Sequence, residues 1–188
     1  MTEIGKYETG TYPSSVAIAP NGMVAAGITI GGPSDIYLYQ PGSTASFRKI
    51  ALSWPRWDLL ARGVTWAPDG NRLFATRFPY SGEVILDVVT DVRKASGDIT
   101  LQGPETTPLG QRLTVHGTLT SLVPLPAHAR VTVSRDYEPI ATARVAADGT
   151  FKFVDRPPLP STHLYSVTYA GDSDHVSGSA EIVIEVVG

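Results

Sequence analysis

The chain has no cysteine, which excludes disulfide bonds and cysteine-ligated zinc. It also has no apolar run near the roughly 20 residues that span a membrane. The opening segment, MTEIGKYETG, lacks the apolar core of a signal peptide. A chain without cysteine fits a reducing cytosol and many secreted bacterial proteins equally well. If the protein is exported, we expect its export signal to lie outside this sequence.

Charge is also scarce, with a formal net charge of −3 over 188 residues. The part before Ser96 has 9 basic and 8 acidic residues, and the remainder has 6 basic and 10 acidic residues. Nucleic-acid binding requires a clustered basic face, and neither part provides one. We therefore expect no nucleic-acid partner and, because long apolar runs are missing, no membrane span.

Turn-forming and strand-forming residues are abundant. The chain has 18 Gly and 15 Pro, and 42% of its residues are hydrophobic. β-Branched and aromatic residues dominate the apolar runs, which favours strands over helices. This composition predicts an all-β fold with many turns and enough apolar side chains for a core.

A repeat organises the first half. The heptad VAIAPNG at 16–22 returns as VTWAPDG at 64–70, an offset of 48 residues, and the same offset aligns 36–38 with 84–86. Each repeat contains short apolar segments separated by Gly- and Pro-rich turns. The predicted strands are 16–19, 23–28, 35–40 and 46–52 in the first repeat, and 63–67, 72–77 and 83–89 in the second.

These repeats resemble a known family. The segments VAIAPNG…IYLYQ and VTWAPDG…LFAT…GEVILDVV are similar to blades of WD40-like or YVTN-like bacterial β-propellers, over about residues 12–90. The resemblance implies four-stranded blades in which the Ala-Pro-Asp-Gly turn joins the inner two strands. The Trp-Asp dipeptide at 57–58 lies between the repeats, so the eukaryotic WD40 pattern is not matched.

Two blades cannot close a ring, because propellers typically contain about 4–8 blades. The second repeat also lacks a fourth predicted strand. Three explanations are open: the chain is the remnant of a longer propeller, it assembles with other chains to complete a ring, or residues 4–12 fold back onto the second repeat as a stand-alone sandwich.

The second half predicts longer strands at intervals of roughly ten residues, as in a β-sandwich. They are 99–101, 111–119, 130–135, 140–145, 150–154, 164–169 and 180–187, with a hairpin turn at 147–150 and an inter-sheet connection at 157–160. The motifs GQRLTVHGTL, ADGTFKF and YSVTYAGD are similar to bacterial Ig-like repeat domains over residues 97–187. The resemblance implies a spacer, display or adhesion unit.

Catalytic and metal-binding patterns are not found. The sequence has no G-x-S-x-G elbow and no phosphate-binding glycine loop. Its four histidines, His116, His128, His163 and His175, lack the close spacing of metal pairs. Asp172 and Asp174 supply too few carboxylates for calcium, and a hydrogen-bonded turn explains them. We expect no enzyme activity and no catalytic, cofactor or metal residues.

One stretch stands out as a candidate binding surface. Trp54, Arg56 and Trp57 lie between the repeats, and Trp and Arg are favoured at binding hot spots. They could stack on a sugar or contact a protein. Packing over the neighbouring blade is the alternative explanation.

The sequence therefore predicts an all-β protein: two propeller-like blades forming an incomplete propeller at 1–96, then an immunoglobulin-like β-sandwich at 97–188. We expect a non-catalytic binding or structural module of a bacterial exported or surface-associated protein, without cofactors. Its expected partners are a protein or additional blades that complete the propeller, further copies of itself, or carbohydrate. The alternatives are a lectin whose two-blade protomers close a ring and the remnant of a propeller hydrolase.

Overall fold

The computed structural model describes residues 6–10, 12–29, 34–52, 58–78 and 82–188. All regular secondary structure in these residues is β-strand, which confirms the all-β prediction. The chain divides into two compact units, Met1–Lys94 and Ala95–Gly188. Within the described ranges, no helix has the length and apolarity needed to cross a membrane.

The first unit begins with a four-stranded antiparallel sheet, sheet 1. Its strands follow one another in chain order: β1 (Pro13–Ile18), β2 (Val24–Ile28), β3 (Ile36–Tyr39) and β4 (Ser46–Ile50). The Pro-Asn-Gly turn joins β1 to β2, and the Gly22 amide donates to the Ala19 carbonyl at 2.9 Å. Gly22 has a φ of 85°, a conformation that glycine adopts without a steric cost. Alternating apolar residues and turn chemistry predicted all four strands.

Sheet 2 completes the first unit with β5 (Asp58–Trp66), β6 (Leu73–Phe78) and β7 (Ile85–Val89) in that order. Strand β5 starts five residues before its predicted beginning at Gly63. Its pairing with β6 is irregular between Leu59 and Val64, and Arg62 has a φ of 61°. A bulge of this kind breaks the period-two pattern, so the sequence conceals the early part of the strand.

Strand pairing corrects the alignment of the two repeats. Val16 lies opposite Ala26, whereas its counterpart Val64 lies opposite Ala75, so the offset is 48 at β1 and 49 at β2. The same comparison through the next strand pair gives an offset of 50 at β3. The counterpart of Ile36 is therefore Leu86, and the predicted alignment of 36–38 with 84–86 was wrong by two residues. Extra residues between the strands of the second repeat increase the offset from 48 to 50. The strands are too short for their sequence pattern to reveal this increase.

Sheets 1 and 2 pack through a face of unusually small side chains. Ser15, Ala17, Ala25 and Gly27 share this face because they are paired across β1 and β2. The Trp66 indole Nε1 donates to the Ala17 carbonyl at 3.2 Å. A Cβ atom at Gly27 would lie only 3.0 Å from side-chain carbons of Leu59 and Val64. The close approach of β5 to sheet 1 therefore requires small residues on β1 and β2.

Residues 6–10 cover the part of the opposite face of sheet 1 that β2 and β3 form. Its core consists of Val24, Ala26, Ile28, Tyr37 and Tyr39. The rings of Tyr7 and Tyr39 meet edge to face at 4.9 Å, and the Tyr39 hydroxyl donates to the Glu8 carbonyl. Burial raises the pKa of Tyr39 to about 12. The alternative that residues 4–12 fold onto the second repeat is therefore wrong for their described part, because these contacts are made with the first.

The second unit has eight strands in two sheets. They are β8 (Asp98–Gln102), β9 (Thr106–Pro108), β10 (Leu113–Thr120), β11 (Arg130–Arg135), β12 (Glu138–Arg144), β13 (Thr150–Asp155), β14 (Thr162–Tyr169) and β15 (Gly178–Val187). The sheet orders are β13-β10-β8 and β12-β11-β14-β15-β9. Inward-facing residues from both sheets form one core, as the alternation of Leu113 with Val115 and of Phe151 with Phe153 predicted.

Two features of this unit differ from the sequence prediction. Strand β9 was missed; it is three residues long, contains Pro108 and pairs in parallel with β15. The turn at 147–150 is tight, with the Gly149 amide donating to the Ala146 carbonyl at 3.0 Å. However, it joins strands β12 and β13, which belong to different sheets, so the predicted hairpin is wrong. A turn sequence specifies the reversal of the chain but not which strands pair afterwards.

We predict that Gly117→Val lowers the free energy of unfolding of the second unit by about 1–3 kcal/mol, because the added side chain overpacks the core. A Cβ atom at Gly117 would lie 2.3 Å from the Phe151 ring and 2.8 Å from the Thr100 carbonyl oxygen. Urea unfolding of the whole chain, followed by hydrogen exchange in β10, measures the effect. The exposed neighbour His116→Ala serves as the control, and equal stability of both variants would contradict the packing argument.

Candidate interaction surface

The outer side of sheet 2 carries an exposed apolar surface, which we call the open face. Period-two alternation and cross-strand pairing place its members on one side of the sheet, where Phe74 is opposite Val88 and Thr76 is opposite Leu86. Phe78 and Leu86 are 46% and 60% exposed. The open face consists of Thr65, Phe74, Thr76, Phe78, Leu86 and Val88.

The repeat shows why this exposure is unusual. In sheet 1 the counterparts of Leu86 and Val88 are Ile36 and Leu38, both of which are 0% exposed. Sheet 2 covers that side of sheet 1, whereas no described residue of the first unit covers the equivalent side of sheet 2. An exposed apolar surface of this kind is a candidate interaction site.

A second apolar feature lies at the other end of the first unit. Val16 and Ile18 on β1 are 70% and 71% exposed. Their counterparts Val64 and Trp66 are buried, because these are the residues by which sheet 2 packs on sheet 1. We call Val16 and Ile18 the β1 edge. The first unit thus exposes apolar side chains at both ends of its pair of sheets.

A buried ion pair holds the strands that carry the open face. Arg77 on β6 is 2% exposed and donates from Nε and Nη2 to the two carboxylate oxygens of Asp87 on β7, at 2.5 and 2.9 Å. This two-point contact links β6 to β7 on the side that faces away from the open face. It fixes the register in which Phe74, Leu86 and their neighbours are presented.

A depression lies between β1 of sheet 1 and β5 of sheet 2. It has a volume of about 610 Å³ and is lined by Pro13, Ser14, Ser15, Val16, Arg62 and Val64. The Ser15 hydroxyl accepts a hydrogen bond from the Val64 amide at 3.1 Å, so one of its polar groups is already used by the fold. The Ser14 hydroxyl donates to the Gly27 carbonyl at 3.5 Å, so the remaining lining offers the Arg62 guanidinium as a donor and the Ser14 oxygen as an acceptor to a polar ligand.

The predicted binding residues Trp54, Arg56 and Trp57 lie outside the described residues. The sequence had singled them out by residue type. The open face was not found in that way, because strand sequences such as LFATRF and ILDVV have the composition of ordinary core strands. Only the pairing of the strands shows which of their faces is left uncovered.

The second unit contains a buried polar cluster at the turn after β14. Tyr169 donates to Asp172 Oδ2 at 2.6 Å, and the amides of Asp174 and His175 donate to Oδ1 at 2.7 and 2.8 Å. His175 is 1% exposed and has Nδ1 facing Asp172 and Nε2 facing the Val123 carbonyl. The hydrogen-bonded turn predicted at 172–174 is therefore observed. Among the described residues, no group of three His, Cys, Asp or Glu side chains has a metal-holding arrangement.

This cluster perturbs the ionisation of its members. Burial raises the pKa of the Asp172 carboxyl, but hydrogen bonds from Tyr169, His175 and two backbone amides outweigh burial and hold that pKa well below its usual range. Burial and the neighbouring Asp172 raise the pKa of Tyr169. The folded state therefore strongly favours the carboxylate form of Asp172.

A second polar cluster places Ser161, His163 and Asp136 in the order of a hydrolase triad. Ser161 Oγ lies 3.2 Å from His163 Nε2, and His163 Nδ1 lies 2.6 Å from Asp136 Oδ2. Sequence reasoning missed this grouping, because Asp136 is 27 residues from His163. The hydrogen bond from His163 lowers the pKa of Asp136.

The geometry of this second cluster disfavours catalysis. A general base needs a free lone pair on Nε2. The Leu159 carbonyl oxygen lies 3.1 Å from that atom and, as a hydrogen-bond acceptor, favours a donor there instead. His163 Nε2 therefore faces two oxygen atoms, the Ser161 hydroxyl and the Leu159 carbonyl, rather than the serine alone. His163 is also 4% exposed. The cluster fits a structural link between β11, β14 and the loop before β14.

We predict that the second unit loses stability as the pH falls below about 4, the ordinary carboxyl range. Asp136, Asp155 and Asp172 all have pKa values that are lower in the folded state. Their contribution is complete above the unfolded pKa and is lost as the pH falls toward the folded value. Asp172→Asn should therefore flatten the acid side of the stability profile, as measured by urea unfolding from pH 7 to about pH 2.

The exposed residue Glu181 provides the control for that measurement. Glu181→Gln should leave the acid side of the profile close to that of the parent chain. An acid profile that Asp172→Asn leaves unchanged would contradict the assigned role of the Asp172 cluster.

Comparison with known proteins adds no family. No protein-family model and no curated protein matches the chain. The proposed function therefore depends on the sequence patterns and on the geometry of the chain itself.

Proposed function

We propose that the chain is a non-catalytic binding and structural module that works as part of a larger propeller-like assembly. The open face carries this proposal. Phe78, Leu86 and Val88 are exposed on sheet 2, while the sheet 1 counterparts of Leu86 and Val88 are buried by a second sheet. Covering such side chains stabilises a protein by about 25 cal/mol per Å² of apolar area, so the open face favours contact with another sheet.

Three observations support the propeller-like part. Sheet 1 is a four-stranded meander in chain order, the strand arrangement of a propeller blade. The two sheets pack on one another through β1, β2 and β5. Sheet 2 has the same order with three described strands. We infer that each sheet is a blade and that further blades are supplied by a partner or by a longer assembly.

The second unit fits a spacer or display role. Two sheets enclose one core, and its buried polar groups are paired with partners inside the same unit. The motifs that resemble bacterial Ig-like repeats span the same strands. We infer an immunoglobulin-like sandwich that belongs to a bacterial exported or surface-associated protein, with an extracellular or cell-surface location.

A lectin is the second candidate function. The depression lined by Ser14 and Arg62 favours it, because it lies between the sheets and offers polar groups to a small ligand. Screening the whole chain on a glycan array tests this candidate. Binding that Arg62→Ala abolishes would support a lectin, and an array without hits would leave the structural module.

We predict that Leu86→Lys reduces the binding of an apolar fluorescent dye to the chain, because it places a charge in the open face. Leu86 is exposed, so the free energy of unfolding should change by less than about 0.5 kcal/mol. Val183→Lys is the matched control, because Val183 is a similarly exposed apolar strand residue in the second unit. Equal loss of dye binding in both variants, or in neither, would contradict the role of the open face.

We also predict that residues 97–188 fold cooperatively when produced alone, whereas residues 1–96 alone aggregate. The second unit has a complete core between its two sheets, while the first unit leaves the open face and the β1 edge uncovered. Circular dichroism and light scattering of the two fragments measure the difference. Soluble, cooperative folding of 1–96 would overturn the incomplete-propeller interpretation.

A further inference from the structure

The chain contains its own example of how two of these sheets dock. Sheet 2 presents Val64 and Trp66 from β5 to the small-residue face of sheet 1. Two hydrogen bonds accompany the packing: the Val64 amide donates to Ser15 Oγ at 3.1 Å, and the Trp66 indole donates to the Ala17 carbonyl at 3.2 Å. We call Val64 and Trp66 the presenting pair of this contact, and we call the small-residue face of sheet 1 its receiving face.

Both halves of this contact recur, uncovered, at opposite ends of the first unit. The β1 edge, Val16 and Ile18, is the counterpart of the presenting pair and is about 70% exposed. The receiving face has its counterpart in the open face, where Thr65, Phe74 and Thr76 correspond to Ala17, Ala25 and Gly27. The β1 edge at one end of the unit is therefore the kind of surface that packs on the open face at the other end.

Side-chain volumes at the two ends compensate for one another. Inside the chain a large presenting residue, Trp66, contacts the small-residue face at Ala17, whose paired neighbour on β2 is Ala25. At the uncovered ends the presenting residue is the smaller Ile18, and the receiving residue is the larger Phe74. The contact inside the chain pairs a large presenting residue with small receiving residues, and the contact between the uncovered ends would pair a smaller presenting residue with a larger receiving residue. Both combinations fill a similar space between two sheets.

Charge does not oppose the contact. The β1 edge consists of Val16 and Ile18, and the open face consists of threonine and apolar residues, so neither surface carries a charged side chain. Two copies can therefore bring these surfaces together without juxtaposing like charges.

We propose that the open face of one copy binds the β1 edge of a second copy, in a head-to-tail contact that repeats the internal packing of sheet 2 on sheet 1. This inference rests on the proposed function and names the occupant of the open face. Because the two contacting surfaces differ, successive copies form a ring if the rotation closes. Propellers contain about 4–8 sheets, which corresponds to about two to four copies of a two-sheet unit.

The contact is weak, because residues 6–10 limit its area. They cover Ile28, Tyr37 and Tyr39 on β2 and β3 but leave the β1 edge exposed, so a second copy reaches only β1. One strand buries far less than the roughly 800 Å² per partner of a stable interface. Association should therefore appear at tens to hundreds of micromolar, about the range of weak complexes.

Complementation between two variants tests the head-to-tail contact. Ile18→Glu disables the presenting edge, and Thr65→Glu disables the receiving face; both side chains are exposed, so each variant should fold. Sedimentation velocity from about 5 µM to about 500 µM should show assembly of the parent chain. We expect each variant alone to be monomeric, with association weakened at least about tenfold. An equimolar mixture should form a one-to-one dimer, because one intact edge and one intact face remain.

Each other outcome overturns the inference. A parent chain that stays monomeric throughout, a mixture that does not associate, or assembly that survives Ile18→Glu would each exclude the head-to-tail contact; survival would show that two open faces pair with one another. Val183→Glu in the second unit is the control and should assemble like the parent. If the parent is monomeric but Leu86→Lys still removes dye binding, the proposed function stands with a different partner. If dye binding is also unaffected, both fail.

Discussion

The first unit depends on the close approach of β5 to the small-residue face of sheet 1. Gly27 allows the side chains of Leu59 and Val64 to lie almost on the backbone of β2, and the Trp66 indole donates a hydrogen bond to the Ala17 carbonyl on β1. This contact buries one side of each sheet. The other side of sheet 2 leaves Phe78, Leu86 and Val88 exposed.

The second unit satisfies its buried groups internally. Its two sheets face a single core, and Asp155 accepts hydrogen bonds from Arg135 at 2.6 Å and from Tyr165 at 2.7 Å. The Asp172 and Asp136 clusters do the same for His175 and His163. A unit with a complete core and with partners for its buried polar groups needs no other protein for its stability. The two units thus differ in what they leave exposed, rather than in their strand content.

Much of the strand pattern was accessible from residue types. Period-two alternation located β10, β11 and β13 almost to the residue, and the two Pro-x-Gly turns located the start of each repeat. The failures have local causes. The bulge at Arg62 interrupts the alternating pattern at the beginning of β5, so that part of the strand was not predicted. Strand β9 was not predicted because it is short and contains a proline. Turn residues that change the repeat offset cannot be placed when the strands contain four to six residues. The Ser161–His163–Asp136 grouping includes an aspartate 27 residues before the histidine, so no local sequence pattern predicts it.

The amino-acid sequence by itself determined that the chain is built of strands, where most of them lie and that the first half repeats. These properties follow from alternation and turn chemistry, which act over a few residues. Only the tertiary structure decided which faces of the sheets are covered. Leu86 and Ile36 are equally apolar and occupy equivalent positions, yet one is exposed and the other buried. Burial depends on whether another sheet lies above a residue, and that is a property of the packed chain rather than of the residue.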